Sequence, residues 1–337
     1  VMGWPVVHSR SPLIHNHWIA RHGVDAVYIP FAVPPDEAED AIRALPKMGI
    51  AGTNVTAPHK LAAFGTVDRH DAAAAAIGAL NTIVVEADGS LTGSNTDAPG
   101  FLAHLQASAP NWTAASGPAV VLGAGGAARA AVFALLEAGA SEIRIANRTK
   151  HRADVLGDMF GPEVRSLDWA VRAEMLGGAG LVTNTTTLGM AGQPPLNFPL
   201  DELPQASVVY DIVYAPLETP LLAAARARGC ATVDGLGMLR HQAVPGFDGW
   251  FGVQPKVDAA LRSVNQEDLE WFGAVLASVA PGAWLNHSFF SLPLLTTTTA
   301  SGYPPSTIRL TASWLAVYMP AGANTTGRRP SSRCMMA

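Results

Sequence analysis

One stretch constrains this chain more than any other: "VVLGAGGAARAAVFALL", residues 120–136. An apolar run enters a glycine-rich turn, and an alanine-rich helix leaves it. Gly123, Gly125 and Ala128 fall in the G-x-G-x-x-G/A pattern, and Ala124, Gly126 and Ala127 complete the loop. That spacing, after a strand and before a helix, is the context a dinucleotide-binding turn requires. Gly123 permits the tight turn. Gly125 lets the backbone approach a pyrophosphate, whose charge is favoured at a helix N-terminus. The plainer reading of the same residues is a tight strand–helix turn without a ligand.

The next strand, "EIRIAN", ends in "NRTKHR". A site for NAD(H) usually carries Asp or Glu here, about 20 residues after the glycines, to bind the ribose hydroxyls. This chain has Asn147, Arg148 and Thr149, with Arg152 a turn later. A guanidinium suits a 2′-phosphate and a carboxylate repels one, so the pattern favours NADP(H). A solvated basic helix start is the alternative.

The rest of the chain alternates strands and helices, which predicts an α/β fold with a parallel or mixed sheet. "VMGWPVV", "AVYIPFAV" and "IAGTNVT" read as strands, and "PLIHNHWIARHG" and "DEAEDAIRALPKMG" as helices. A second α/β unit begins near residue 98. "AGLVTNTT", "SVVYDIVY" and "CATVDGL" supply its later strands, and "MLRHQAVPGFDGWFG" and "PKVDAALR" read as helices. The expected division is a first domain at 1–97, joined by 238–262, and a Rossmann-type domain at 98–237.

The chain has 337 residues, 49% hydrophobic and 15% charged, enough for two globular domains. A net charge of −5 with no basic run beyond Arg328-Arg329 argues against nucleic acid as a partner. Cys230 and Cys334 build neither a disulfide framework nor a zinc site, which suits a cytoplasmic protein. "VMGWPVV" reads as the middle of a strand rather than a signal peptide, so the sequence is expected to begin inside its first element. From 263 to 337 the character changes, and Trp271 to Ile308 contains no Asp, Glu, Lys or Arg. Pro281, Asn286, His287 and Pro293 interrupt the apolar part, which argues against a membrane span. An atypical C-terminal extension, disordered or loosely packed, is the expectation.

Lys60 is one of only four lysines, in a chain that takes most of its positive charge from arginine. Lysine can release its proton when its pKa is lowered, and arginine effectively cannot. The stiff polar turn Asn54-Val55-Thr56-Ala57-Pro58-His59 leads into it. Near the N-terminus, Ser9 and Ser11 flank Arg10 ahead of a helix opened by Pro12. Their hydroxyls suit an anionic group such as a carboxylate, or a simple helix cap. His8, His15, His17 and His22 are poorly spaced for a metal, and none is expected.

The motifs are more specific together than singly. They run in order Gly3-Trp4-Pro5-Val6-Val7-His8-Ser9-Arg10-Ser11-Pro12, Asn54 to Lys60, Gly78-Ala79-Leu80-Asn81-Thr82 and Asn95-Thr96-Asp97-Ala98-Pro99-Gly100. The glycine loop and Asn147-Arg148-Thr149 follow. Then come Asn184-Thr185-Thr186, Gly189-Met190, Asp211 to Tyr214, and Asp234-Gly235-Leu236-Gly237-Met238-Leu239 with Gln242. Over roughly residues 1–262 this resembles the shikimate dehydrogenase family. The resemblance implies an N-terminal α/β substrate domain, a Rossmann-type NADP-binding domain, and C-terminal helices that return to the first domain.

It also implies reversible reduction of 3-dehydroshikimate to shikimate by NADPH, in aromatic amino-acid synthesis, by a monomer or homodimer. Lys60 and Asp97 match the family's catalytic pair. Ser9 and Ser11 match its carboxylate-binding serines, helped by Thr56 and Tyr214. Asn81, Asp97 and Gln242 match residues that hold ring hydroxyls, and Gly237 and Met238 match the part near the nicotinamide. His59 receives no role. The alternatives are a quinate/shikimate dehydrogenase preferring NAD and a non-catalytic shikimate-binding regulator.

Overall fold

The computed structural model describes residues 1–6 and 9–264, all within one compact unit. Val7, His8 and nearly all of the expected extension from 263, with its apolar stretch, lie outside the described residues.

The first half builds two small sheets. β1 (Met2–Gly3) pairs in parallel with β2 (Phe31–Ala32), and Met2 bridges to Val55. Between them runs helix α1 (Ser11–His22), opened by Pro12 and closed by Gly23 in the left-handed conformation. β3 (Gly52–Asn54), β4 (Arg69–His70), β5 (Thr82–Val85) and β6 (Leu91–Ser94) form a mixed sheet in the order β3-β5-β6-β4. Helices α2 (Ala38–Ala44), α3 (Lys60–Thr66) and α4 (Ala72–Ile77) connect these strands.

The structure shortens several expected elements, each for a local reason. "AVYIPFAV" gives only the two residues of β2. Asn16 takes both backbone groups of Tyr28, donating to its carbonyl at 2.8 Å and accepting from its N–H at 2.9 Å. Those groups are therefore unavailable to a neighbouring strand, and Pro30 has no N–H to offer one. "VMGWPVV" is strand only at Met2–Gly3 before the chain bends at Trp4 and Pro5. In "DEAEDAIRALPKMG", α2 ends before Pro46, which starts a separate single turn at Pro46–Met48. The β5–β6 hairpin, turning at Asp88-Gly89, has no counterpart among the predicted elements.

The second half follows the expected order. After α5 (Asp97–Ser108) come β7 (Ala119–Leu122), α6 (Gly126–Glu137), β8 (Ile143–Asn147) and α7 (Lys150–Phe160). Then come β9 (Val164–Asp168), β10 (Leu181–Asn184), β11 (Val208–Asp211), α8 (Pro220–Ala227), β12 (Ala231–Val233) and α9 (Leu236–Phe251). All six strands are parallel, in the order β9-β8-β7-β10-β11-β12. This is a doubly wound arrangement whose order reverses between β7 and β10, where such sheets bind ligands. β7, β10 and β11 are buried throughout, as strands covered on both faces must be. β9, at the edge and half exposed, shows no apolar run in the sequence and was not predicted.

α9 ties the two halves together by packing against both α1 and α5. Its Phe247 is fully buried and meets Trp18 edge-on, with ring centroids 5.6 Å apart. Full burial of such a side chain contributes about 1.5–3 kcal/mol. Trp250 donates to the carbonyl of Ile83 at 2.9 Å, anchoring the end of α9 on β5.

Candidate active site

The turn after β3 fixes Lys60 through its backbone. Val55 N–H donates to the Asn81 carbonyl at 2.7 Å, and Thr56 N–H to the Met2 carbonyl at 2.9 Å. His59, 1% exposed, has Nε2 2.8 Å from the Val33 carbonyl, and its N–H donates to the Thr56 carbonyl at 2.9 Å. Lys60 is the first residue of α3, and its own carbonyl accepts from Leu80 N–H at 3.3 Å. The ammonium is thus delivered from a turn held on three sides.

That ammonium pairs with Asp97 Oδ2. The Lys60 side chain keeps 18% of its surface exposed, while Asp97 keeps 3%. Asp97 opens α5, where the helix dipole favours a carboxylate. Asn95 Oδ1 accepts from the N–H groups of Asp97 and Ala98, at 3.1 and 3.3 Å. Asn81 Nδ2 lies 2.9 Å from Asp97 Oδ1, 3.0 Å from Thr96 Oγ1 and 3.0 Å from Gln242 Oε1. An amide nitrogen has two hydrogens, so three acceptors compete for two donors. One acceptor is left over for a hydroxyl arriving from outside.

Gln242 reaches this cluster because α9 lies almost in contact with α5. A Cβ on Gly100 would come within 2.7 Å of the Gln242 backbone nitrogen, and a Cβ on Gly237 would collide with the His104 ring. Two glycines, one on each helix, therefore permit the close approach. His104 is buried beside Tyr210, with Nδ1 3.1 Å from the phenol oxygen, and burial pushes its pKa down to about 4.

The serine segment lies alongside. Ser9 Oγ accepts from Ser11 N–H at 3.3 Å, and Ser11 is buried. The Tyr28 hydroxyl donates to Asn54 Oδ1 at 2.6 Å. Burial raises the Tyr28 pKa, opposed by its hydrogen bonds to Asn54 and Ser11. Burial also raises the pKa of Tyr214, and the charge of Arg10 partly opposes it. Thr56 stands against Gly3, where a side chain would strike its Cγ2.

The glycine turn sits at the C-terminal end of β7. Gly123 has φ +114, and a Cβ there would stand 2.6 Å from Thr185 Oγ1 and 3.1 Å from Thr186 Cγ2. Thr186 is held in turn by Asn184 Oδ1, and Asn184 Nδ2 donates to the buried Asp211 at 2.9 Å. At Gly125 a Cβ would meet nothing within 4 Å, so the space over the turn is open. At Gly126 it would stand 3.3 Å from Lys60 Cδ. The two halves of the predicted site are therefore neighbours.

Asn147 Nδ2 donates to the Thr149 carbonyl at 2.8 Å, and Thr149 precedes α7. Arg148 and Arg152 are exposed, and among the described residues no acidic side chain pairs with either. Asp154 pairs with Lys150 instead, at 2.6 Å. An open glycine turn at a helix N-terminus, flanked by free guanidinium groups, fits a dinucleotide carrying an extra phosphate. Gly237 and Met238 are buried in the first turn of α9.

The structure thus joins Lys60, Asp97, Asn81 and Gln242 by hydrogen bonds and brings Gly126 against Lys60. Among the described residues no hydrogen bond joins Ser9, Ser11, Thr56 or Tyr214 to that cluster. Sequence reasoning gave no role to His59, Asn95 or Thr96. The last two were readable only as members of the Asn-Thr-Asp motif. Among the described residues no group of three or more His, Cys, Asp or Glu could hold a metal ion.

A doubly wound sheet with this glycine turn, facing a Lys–Asp pair, is the framework of a dinucleotide-dependent oxidoreductase. The family model for the shikimate dehydrogenase substrate binding domain matches residues 1–83, and that for shikimate / quinate 5-dehydrogenase matches 106–186. The shikimate dehydrogenase (NADP(+)) of Paramagnetospirillum magneticum is 57% identical over 263 residues, 78% of this chain and 95% of its own. The Thermus thermophilus shikimate 5-dehydrogenase, solved with NADP(H) and shikimate, has a TM-score of 0.71 at 35% identity, covering 79% of this chain and 97% of its own. The quinate dehydrogenase of Corynebacterium glutamicum, solved with NAD, has a TM-score of 0.73 at 32% identity, covering 79% of this chain and 97% of its own. The chain belongs to the shikimate dehydrogenase family.

Proposed function

We propose that this chain catalyses the reversible NADPH-dependent reduction of 3-dehydroshikimate to shikimate, with Lys60 and Asp97 as catalytic pair. The observation that carries the reading is the Lys60–Asp97 pair, bound to Asn81, through it linked to Gln242, and set against Gly126 of the glycine turn. Residues 1–97 with 238–262 serve as the substrate-binding half, and 98–237 as the cofactor-binding half.

When bound, NADP(H) supplies or takes up the hydride at the carbon that interconverts between ketone and alcohol. Gly123, Ala124, Gly125, Gly126 and Ala127 would receive its pyrophosphate, and Asn147, Arg148, Thr149 and Arg152 its adenosine phosphate. Gly237 and Met238 would lie near the nicotinamide. As the ketone oxygen gains negative charge, the Lys60 ammonium stabilises it and then gives it a proton, leaving the neutral amine. Asp97 holds Lys60 in place and accepts from a ring hydroxyl. Asn81 and Gln242 share the remaining hydroxyls, using the acceptor their amide cluster leaves over. Ser9, Ser11, Thr56 and Tyr214 hold the carboxylate.

The preference for NADP(H) rests on the exposed, unpaired Arg148 and on the lack of a carboxylate at 147–149. The likeness to an NAD-bound quinate dehydrogenase keeps the second reading, an NAD-preferring quinate/shikimate enzyme, under test. An intact Lys–Asp pair speaks against a non-catalytic regulator. We place the enzyme in the cytoplasm, acting as a monomer or homodimer on a small molecule, without nucleic acid or membrane. No helix of the described residues is long and apolar enough to cross a membrane. Purified protein with 3-dehydroshikimate should oxidise NADPH faster than NADH, and in reverse use shikimate better than quinate. No turnover with either cofactor would refute the assignment.

A further inference from the structure

We infer that Arg129 is a positioning residue, a latch by which the cofactor helix sets the place of the substrate-side segment that carries Asn81. The inference rests on the proposed function only in naming what the latch aligns. The contact itself is structural.

Arg129 lies on α6, one turn after Gly126, so the two residues share a helix face. That face looks toward the other half of the molecule at both positions. Gly126 lies against the Lys60 side chain, and Arg129 Nη1 donates to the Ile77 carbonyl at 3.3 Å. Ile77 is the last residue of α4, where helix carbonyls lack partners within the helix and the dipole favours a cation. Four residues further on is Asn81. The chain between is held short: Gly78 has φ +66, the Ala79 carbonyl accepts from Asn95 Nδ2 at 2.9 Å, and Leu80 N–H donates to the Lys60 carbonyl. A displacement at Ile77 is therefore passed to Asn81 and Lys60 with little slack.

Among the described residues no carboxylate pairs with Arg129, and partial burial lowers its pKa. Its other contact is the Met159 sulfur of α7 at 3.2 Å, and a Cβ on Gly78 would come within 3.5 Å of the same Nη1. A partly buried guanidinium without an acid is held by what it donates to, here a carbonyl of the opposite half. The competing role is a phosphate ligand, because Arg129 follows the glycine turn closely.

The experiment compares Arg129→Ala and Arg129→Lys with the wild type in three measurements. NADPH affinity is read by fluorescence without substrate, and turnover by NADPH oxidation. Hydrogen exchange of the amides in 77–82 is followed with and without NADPH. Expected for Arg129→Ala are NADPH binding within about twofold of wild type and kcat lower by about 10–100-fold, the scale of a misplaced catalytic group. Cofactor-induced protection of 77–82 should vanish while that of 123–130 stays. Arg129→Lys should recover part of both. If NADPH affinity fell in step with kcat, Arg129 would be a phosphate ligand and the latch would be wrong. Unchanged kcat with retained protection of 77–82 would also overturn it. The exchange measurement needs no turnover, so it separates failure of the latch from failure of the assigned reaction.

Discussion

The substrate-side cluster and the cofactor-side rim are built on opposite plans. Around Asp97 the charged and amide groups are already bonded to one another, largely out of solvent, with Asn81 reaching Asp97, Thr96 and Gln242. Around the glycine turn the chain leaves space, as over Gly125, and leaves charge unpaired, as at Arg148 and Arg152. On the proposed reaction, the first plan pre-orients groups for a developing charge, where reorganisation during reaction would raise the barrier. The second provides a surface for a large anionic ligand, whose own phosphates complete the pairing. Substitution should therefore affect rate on one side and affinity on the other.

The sharpest way to break that contrast is Lys60→Ala. Its loss should fall on kcat, by about 10²–10⁴-fold, the usual contribution of a general acid. NADPH affinity and fold should change little, because Lys60 turns the flank of its stem to Gly126 while its ammonium pairs with Asp97. Lys60→Arg should also be poor, since guanidinium keeps its proton and is larger. Near-full activity in Lys60→Arg would rule out proton donation by this residue. A change in KM alone for Lys60→Ala would make it a binding group.

On the other side, Arg148→Ala should weaken NADPH by about 1.5–3 kcal/mol, roughly 10–100-fold, the range for a hydrogen bond to a charged group. NADH should be nearly unaffected, and kcat with saturating NADPH should hold. Measured Kd values for both cofactors decide this. Equal weakening would mean that Arg148 does not meet the 2′-phosphate.

The two plans also differ in how far the sequence betrays them. The cofactor turn is legible because its requirements are local: a strand, three small residues at fixed spacing, and a helix. The same holds for Arg148, which the chain places directly after β8. The substrate cluster draws on Lys60, Asn81, Asp97 and Gln242, far apart in the chain. Only the resemblance to a known family grouped them. What brings Gln242 in is the close approach at Gly100 and Gly237, and nothing local at either glycine announces the other helix. Arg129 was invisible for the same reason, because its partner is a main-chain carbonyl of a distant segment. Strand extents were lost where a side chain took over backbone bonding, as Asn16 does for Tyr28.

The dry construction of the substrate half carries a pH dependence that the rim does not share. His15 is wholly buried and stacked on Tyr28 at 4.2 Å. Burial lowers its pKa to about 3. The unfolded chain, with a pKa of about 6.5, takes up this proton first. Stability is therefore complete above about pH 6.5 and falls on acidification, by about 1.4 kcal/mol per pH unit from this group, until the folded value is approached. His15→Phe should flatten the fall of melting temperature between pH 6.5 and 4, where the buried His104 continues to contribute. An unchanged slope would mean that His15 is not neutral in the fold.

The smallest effect tests where the substrate half ends. Leu261 is fully buried in the cluster that holds Trp18 and Phe247, so the helical segment 259–264 belongs to the packing beneath α9. Asp258 anchors it twice, pairing with Arg21 and accepting from the Leu261 N–H at 3.0 Å. Arg262 adds a weaker contact, with Nη2 3.8 Å from Asp234. A chain ended after Val264 keeps every one of these contacts and every proposed site residue, the last being Gln242. Its turnover should match the full chain, because every proposed site residue is retained. A chain ended after Ala260 loses Leu261 and should be less stable by about 2–5 kcal/mol, the cost of emptying a buried leucine site. If the cut after Val264 stayed folded but lost turnover, the site would extend beyond the residues assigned to it. If the cut after Ala260 were harmless, α9 would hold its place through Phe247 and Trp250 alone, and the boundary of the substrate half would move back to the end of that helix.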